Sequence, residues 1–355
     1  MLTAAQVRQT VGWIAGEQCA DGALPWFRGG QLDPWDSVEA AMALDVGAEH
    51  ERAAAAYRWL AGRQRPDGSW AAEYRDGAET APAVESNHAG YLAVGLLHSW
   101  LISADEELVV GLWPVVRRAL DLVTRMQLTG GAISWALRPD GTPDDLALVT
   151  GNASLFQALR CGLALAELAG EAQPDWELAV ADLGTALRER PAAFGDRSRF
   201  SMDWYYPVLA GAVSGTAAHD RLAASWDTFV VPGLGIRCVS DRPWVTGAET
   251  CELALALTAA GRPDDALAQV AAMQHLRHDD GSYWTGFVYP DDARWPIERT
   301  TWTAAAVVLA ADAIAGATPA AGLFSDPAAL PVAGVPDAGT QPAGRLAEGA
   351  DTALS

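Results

Sequence analysis

The chain repeats one local plan six times, and that repetition restricts its fold more than any other feature. A stretch with helical periodicity ends near a Gln. A loop rich in Gly, Asp and Trp follows, and then a helix of small residues opens on a polar side chain. The clearest loop reads Gln64-Arg-Pro-Asp67-Gly68-Ser69-Trp70. Its relatives are Gln18-Cys-Ala-Asp21-Gly22 with Trp26, Gln127-Leu-Thr-Gly-Gly131 with Trp135, and Gln274 with Asp280-Gly281-Ser-Tyr-Trp284. A period of roughly 50 residues, built from two helices and one loop, describes a closed or stacked helical array. One such hairpin cannot bury both its faces alone, so its neighbours must cover them.

The second helix of each unit aligns with the others. The six starts are Asp33-Pro-Trp-Asp36-Ser-Val-Glu39, Glu85-Ser-Asn87-His88, Thr150-Gly-Asn152, Ser201-Met-Asp203-Trp204-Tyr205-Tyr206, Thr246-Gly-Ala-Glu249-Thr-Cys251 and Glu298-Arg299-Thr300-Thr-Trp302. Each continues into Ala, Leu, Gly and Val, and helices apolar nearly all round are buried ones. The preceding helices, over 4–18, 51–64, 108–127, 176–188, 220–229 and 263–274, are more amphipathic. Charges such as Arg117, Arg118, Asp121 and Arg125 suit an exposed outer ring. Six inner and six outer helices predict an all-α, single-domain (α/α)6 toroid over residues 1–316, with inner helices starting near Asp36, Ser86, Asn152, Asp203, Glu249 and Glu298. From Ala317 to Ser355 the pattern stops and Pro, Ala and Gly dominate, which predicts a disordered tail with no catalytic part.

Half the residues are hydrophobic, enough for a large core. The formal charge of −21 argues against a nucleic-acid partner, because phosphate binding needs a basic face. No stretch is long and apolar enough to span a bilayer, and the first residues lack a basic region followed by an apolar core. The four cysteines, Cys19, Cys161, Cys238 and Cys251, are scattered, which predicts free thiols in a cytoplasmic protein.

In a toroid the inner-helix starts and the Trp-rich loops meet at one mouth. Nine of the fifteen Trp fall there: Trp26, Trp35, Trp70, Trp135, Trp204, Trp244, Trp284, Trp295 and Trp302. Aromatic faces stabilise carbocations and stack on apolar sugar faces; the alternative is that these loops only staple repeats together. Asp36, Glu85, Asp203, Glu249 and Glu298 each lie within about a turn of an inner-helix start. Such carboxylates serve as caps or dipole partners. Five around one ring point to acid–base chemistry, because dry aromatic walls raise carboxyl pKa values and create proton donors. The same mouth brings in Trp204, Tyr205, Trp284 and Trp302 as candidate substrate contacts, with Asn87, His88, Asn152 and Arg299. Asp203 and Glu249 are the preferred acid–base groups. His275, His278, Asp279 and Asp280 cluster locally but lack the spacing of a metal site, and no phosphate loop or dinucleotide fingerprint occurs. No metal and no cofactor are expected, and a small molecule is the expected partner.

Gln64-x-x-Asp67-Gly68-x-Trp70 resembles the Gln/Trp repeat of squalene-hopene and oxidosqualene cyclases, and the twelve-helix plan is similar to those cyclases and to protein prenyltransferase β subunits. The resemblance implies a prenyl or terpenoid substrate in an aromatic-lined cavity. The Asp-x-Asp-Asp motif of the cyclases is missing. Glu249-Thr-Cys251 resembles the Asp-x-Cys zinc pair of the prenyltransferases, but the later helix lacks the partner His, so zinc is not expected at Cys251. Two alternatives stay open: a carbohydrate-active (α/α)6 hydrolase or lyase, for which Trp and paired carboxylates are usual equipment, and a non-catalytic binding toroid. Cavity polarity separates the first two.

Overall fold

The computed structural model describes residues 2–327 and 330, in which helix dominates. The outer helices are α1 (Ala4–Glu17), α3 (His50–Ala61), α6 (Glu106–Arg125), α8 (Pro174–Glu189), α10 (Gly215–Ala224), followed by the short α11 (Trp226–Phe229), and α13 (Pro263–Ala272). The inner helices are α2 (Pro34–Val46), the pair α4 (Ser86–Gly90) and α5 (Leu92–Ser103), α7 (Val149–Ala169), α9 (Ser201–Leu209), α12 (Gly247–Ala259) and α14 (Thr301–Ala315). Inner helices pack in the closed order α2, α5, α7, α9, α12, α14 and back to α2. This is the (α/α)6 toroid, and each inner start lies within three residues of its sequence expectation.

Composition explains the two rings. In α14 the run Ala304 to Ala310 is buried on every side, and small side chains let the inner helices approach closely. In α6 one face is Leu108, Leu112, Val116, Leu120 and Val123, all buried, while Arg117, Arg118 and Arg125 are exposed.

The repeat loops are staples. Gln18 Nε2 donates to Gly22 O (3.1 Å) in its own loop and to Arg52 O (2.8 Å) on α3. Gln64 makes the same pair of bonds, to Gly68 O (3.2 Å) and Val115 O (2.8 Å), and Gln127 to Gly131 O and Ala179 O (both 2.9 Å). The glycine cannot be replaced cheaply. Gly68 has φ +100°, and a Cβ there would sit 2.2 Å from Arg118 O. The sixth loop closes the ring onto the first helix, where Thr10 Oγ1 donates to Gly281 O (2.8 Å) and Gln9 Nε2 to Asp279 O (2.6 Å).

Two regions differ from expectation. The later mouth loops form an antiparallel five-stranded sheet, β5 (Val230–Val231), β6 (Gly235–Arg237), β7 (Trp244–Thr246), β8 (Gly286–Val288) and β9 (Ala293–Arg294), with Val245 opposite Phe287. Four further strands, β1 (Glu73–Arg75), β2 (Ala78–Ala81), β3 (Val84–Glu85) and β4 (Ala136–Leu137), decorate the earlier loops. The packed chain also continues beyond 316. Residues Pro319–Ala321 and helix α15 (Gly322–Ser325) close the end of the bore opposite the mouth, with Ala320, Leu323 and Phe324 buried. Gln157 Nε2 donates to Leu323 O (3.3 Å), and Arg160 Nη1 donates to Pro327 O (2.5 Å). Apolar Leu323 and Phe324 supply the burial that a Pro/Ala/Gly composition conceals. The rest of the expected tail lies outside the described residues.

Candidate active site

Helix α2 starts with Asp33 as its cap: Asp33 Oδ1 accepts from the Asp36 amide (2.9 Å), and Pro34 takes the first turn. Asp33, Asp36 and Glu39 are spaced by three, so they rise along one helix face. Helix α12 repeats the device with Glu249 and Glu252. Both helices pack against α14 from opposite sides. The two acidic faces therefore meet across the bore, and the charges act on one another: Asp36 is influenced by Asp33, Glu39 and Glu252, and Glu252 by Glu39 and Glu249.

Burial and this like-charge crowding set the proton occupancy. Burial, then Asp33 and Glu39, push the Asp36 carboxyl well above the usual range. Burial likewise lifts Glu39 to about 7, opposed by hydrogen bonds from Trp35, Tyr91 and Trp302. Glu252 is pushed well above its ordinary value by burial and by Glu39, against a hydrogen bond from Tyr205. A carboxyl group raised in this way keeps its proton near neutrality and can donate it. Glu39 and Glu252 border a void of about 10 Å³ at the floor of the bore, shared with Tyr91, Tyr206 and Phe324. That is room for about one water molecule.

Above the floor the walls are aromatic. Trp35 Nε1 donates to Glu39 Oε1 (2.8 Å) and Tyr91 Oη to the same oxygen (3.1 Å). The Trp35 ring lies 5.2 Å from Tyr91 and meets Tyr206 edge-on at 5.5 Å. Trp26 donates to Asp33 Oδ2 (2.8 Å) and lies 6.5 Å from Trp302. Trp26, Trp35 and Trp302 remain partly exposed. His88 Nε2 stands 3.9 Å from Asp33 Oδ1 and 3.7 Å from Glu85 Oε2. Burial raises Glu85, with His88 opposing and Asp33 reinforcing.

Of the expected site residues, the structure brings together Asp36, Glu249, Glu85, His88, Tyr205 and Trp302. Asp203 and Trp204 belong to a different place. Asp203 Oδ1 accepts from Thr150 N (3.2 Å) and Thr150 Oγ1 (2.6 Å), and Trp204 turns outward to stack on Phe229 at 5.4 Å. Asn152 is fully engaged in holding the third loop, through Ile133 N (2.6 Å), Ile133 O and Leu148 O. Arg299 does not serve its neighbour Glu298: Nη1 donates to Asp280 Oδ2 (2.6 Å) and Ser282 Oγ (2.7 Å), over the Trp284 ring. Glu298 is half-buried beside Thr285 and raised by that burial. Asn87 is buried, with Oδ1 unpartnered among the described residues. Cys251 is fully buried in the core.

Aligning only the helix starts missed Asp33, Glu39, Glu252 and Tyr91. A signal was present: the three-residue spacing of Asp33, Asp36 and Glu39, and of Glu249 and Glu252, marks one polar stripe on each of two otherwise apolar helices.

No family model matches the chain. It is 55% identical over 324 residues to the MMP endo-(1,4)-3-O-methyl-alpha-D-mannosidase of Mycolicibacterium hassiacum, an alignment covering 91% of this chain and 90% of that protein. Among solved structures it resembles a wild-type glycosidase (TM-score 0.68, 15% identity, 90% of this chain and 100% of that one). It also resembles the GH63 mannosylglycerate hydrolase of Thermus thermophilus (TM-score 0.63, 14% identity, 85% and 99%). These likenesses share the toroid. The mannosidase relationship overturns the cyclase and prenyltransferase resemblance and with it the terpenoid substrate. The Gln staples hold neighbouring repeats of this ring together, so they carried information on architecture and none on the reaction. Among the described residues no single helix is long and apolar enough to cross a membrane. With more than half its residues identical over nearly the whole length, the chain belongs to the family of the MMP endo-(1,4)-3-O-methyl-α-D-mannosidase.

Proposed function

We propose that this chain is a glycoside hydrolase that cuts α-(1,4) bonds within a 3-O-methylmannose polysaccharide. The observation that carries this reading is the pair of acidic faces on α2 and α12 beneath partly exposed Trp26, Trp35 and Trp302. Glycosidic cleavage needs a proton for the leaving oxygen and a second carboxylate on the other side of the sugar. Asp36 is the proton donor, because burial and its acidic neighbours hold its proton near neutral pH. Glu249, on the facing helix, activates the water or attacks the anomeric carbon. Indole faces stack on the apolar face of a hexose, which the 3-O-methyl groups of such a substrate enlarge. Glu39 and Glu252 stay out of the bond-breaking step and set the electrostatic background of Asp36.

The test is incubation of the purified chain with the methylated α-(1,4)-mannan, followed by mass spectrometry of the products. Internal cleavage gives oligosaccharides of intermediate length from the first time points, and proton NMR of the fresh anomer assigns Glu249 as base or nucleophile. Intact polymer after prolonged incubation, or release of monosaccharide alone, overturns the reading.

A further inference from the structure

Asp203 and Trp204 left the bore, and the place they went to is itself a cavity. It has a volume of about 460 Å³ and opens at the mouth end of the toroid, between the starts of α7 and α9 and the loop 191–198. That size falls within the ordinary range of small-molecule pockets, about 300–1,000 Å³. Its wall combines aromatic side chains (Phe194, Trp204, Phe229) with Asp203, Arg197 and Ser198.

The wall is rigid where it is polar. Half-buried Arg221 donates to Trp204 O (2.7 Å) and Asp203 O (2.6 Å), and Trp204 Nε1 returns a bond to Arg221 O (2.8 Å). These bonds lock the first turn of α9 to α10. Asp203 Oδ1 is committed to Thr150, while Oδ2 accepts no hydrogen bond among the described residues. Oδ2 keeps solvent access at the cavity wall, where a hydroxyl can donate to it. Opposite it, Arg197 carries donors and makes no ion pair among the described residues; its guanidinium lies 5.8 Å from the Phe200 ring. The Ser198 and Asp196 side chains bond each other (2.7 Å), which fixes the loop that presents Arg197.

A fixed acceptor, a guanidinium without an ion pair among the described residues and the half-buried Phe194 ring form a recognition set for a neutral sugar ring. A hydrocarbon would leave Asp203 and Arg197 unpaired, and a compact anion would meet Asp196 and Asp203. Thr150 ties the pocket to the inner ring, since its amide and hydroxyl both reach Asp203 from the start of α7. We infer that this cavity is a distal subsite which holds one non-scissile sugar unit of the polysaccharide while another unit lies in the bore. The inference rests on the glycoside hydrolase reading for the identity of its ligand. It explains how an enzyme with one narrow bore could favour long chains: a second anchor multiplies the affinity only for ligands that span both places.

The experiment compares wild type with Arg197→Ala and Phe194→Ala, both in the exposed loop and outside the core. The probes are α-(1,4)-linked 3-O-methylmannose oligosaccharides of graded length. Binding is measured by calorimetry on an Asp36→Asn background, and hydrolysis on the native background. Each loop variant should weaken binding of the longest oligosaccharides roughly 5- to 10-fold, the value of one charged or stacking contact. KM should rise by the same factor with kcat unchanged, and the shortest oligosaccharide should bind as in wild type. Equal binding at every length, or a loss that is the same for the shortest and longest probes, overturns the subsite. Failure of the parent reading looks different. If native protein hydrolyses no probe but long probes still bind in an Arg197-dependent way, the chemistry is wrong and the sugar pocket stands.

Discussion

Asp36 and Asp203 hold the same rank in the repeat, each an aspartate in the first turn of an inner helix, yet they have opposite fates. On α2 the carboxylates recur every third residue, so the acidic face continues down the bore through Glu39 and meets Glu249 and Glu252 on α12. On α9 nothing acidic follows Asp203; the next residues are Trp204, Tyr205 and Tyr206, and the aspartate swings to Thr150 on the neighbouring helix. Burial raises both carboxyls. The environments differ in sign: Asp36 faces other acids, while Arg221 and Arg197 oppose the rise at Asp203. A position at a helix start is thus compatible with catalysis or with cross-bracing, and the neighbours one turn further decide between them.

The comparison is broken or upheld first by removing charge from the bore. Asp36→Asn and Glu249→Gln preserve shape, and each should lower kcat by roughly 10²- to 10⁴-fold on the methylated mannan, with Tm unchanged or raised. Relief of like-charge crowding makes an increase in Tm reasonable at Asp36. Activity within tenfold of wild type in both variants would show that the acidic stripe is structural.

A second expectation concerns pH. Glu39 has its carboxyl raised to about 7 from 4.5, chiefly by burial. Between those values the folded chain keeps this proton while the unfolded chain has released it, so the unfolded state binds fewer protons and stability falls as pH rises through the window. Glu39→Gln lacks this titration. Its Tm relative to wild type should climb from pH 4.5 to 7 and level off above, as read by thermal unfolding across the series. A difference in Tm that is flat with pH would mean that Glu39 ionises normally and that the floor of the bore is wet.

Much of the ring was legible. The Gln/Gly/Trp loops and small-residue helices predicted twelve helices and their starts, because the loops of Gln18, Gln64 and Gln127 bond their own Gly and the next outer helix in the same way. The five-stranded sheet was not, since strands of two or three residues such as Ala293–Arg294 are too short to show an alternating period. The site was half legible. Asp36, Glu249, Glu85 and Trp302 were visible as helix starts, but the partners of Arg299 and Asn152 depend on how loops fold back, which spacing along one helix does not encode. The reaction was not legible in the repeat at all, because the repeat describes packing.

A smaller effect is expected at Asp203. Asparagine keeps an acceptor for Thr150, so Asp203→Asn should leave kcat within about threefold of wild type, a carboxylate away from the reacting atoms making no contact unique to the transition state. The change should appear in KM for long chains and in a modest loss of Tm. A fall in kcat comparable to that of Asp36→Asn would erase the distinction between the two helices and move the chemistry toward α9.

The smallest effect belongs to Glu298, another carboxylate at an inner-helix start. It precedes α14, which lies between the two acidic helices, so its position alone makes it a rival proton donor. Its surroundings argue otherwise. Its backbone carbonyl accepts from the Thr285 amide (3.2 Å), its carboxyl is bonded by Thr285, and burial alone raises it, without the acidic neighbours that crowd Asp36. Glutamine retains the acceptor for Thr285 and mimics the neutral form. Glu298→Gln should therefore change kcat by less than about twofold at any pH and stability by no more than about 0.5 kcal/mol, as for a surface substitution. If instead its kcat fell a hundredfold while Asp36→Asn stayed active, α14 rather than α2 would supply the proton, and the stripe from Asp33 to Glu39 would be a cap with a buried extension.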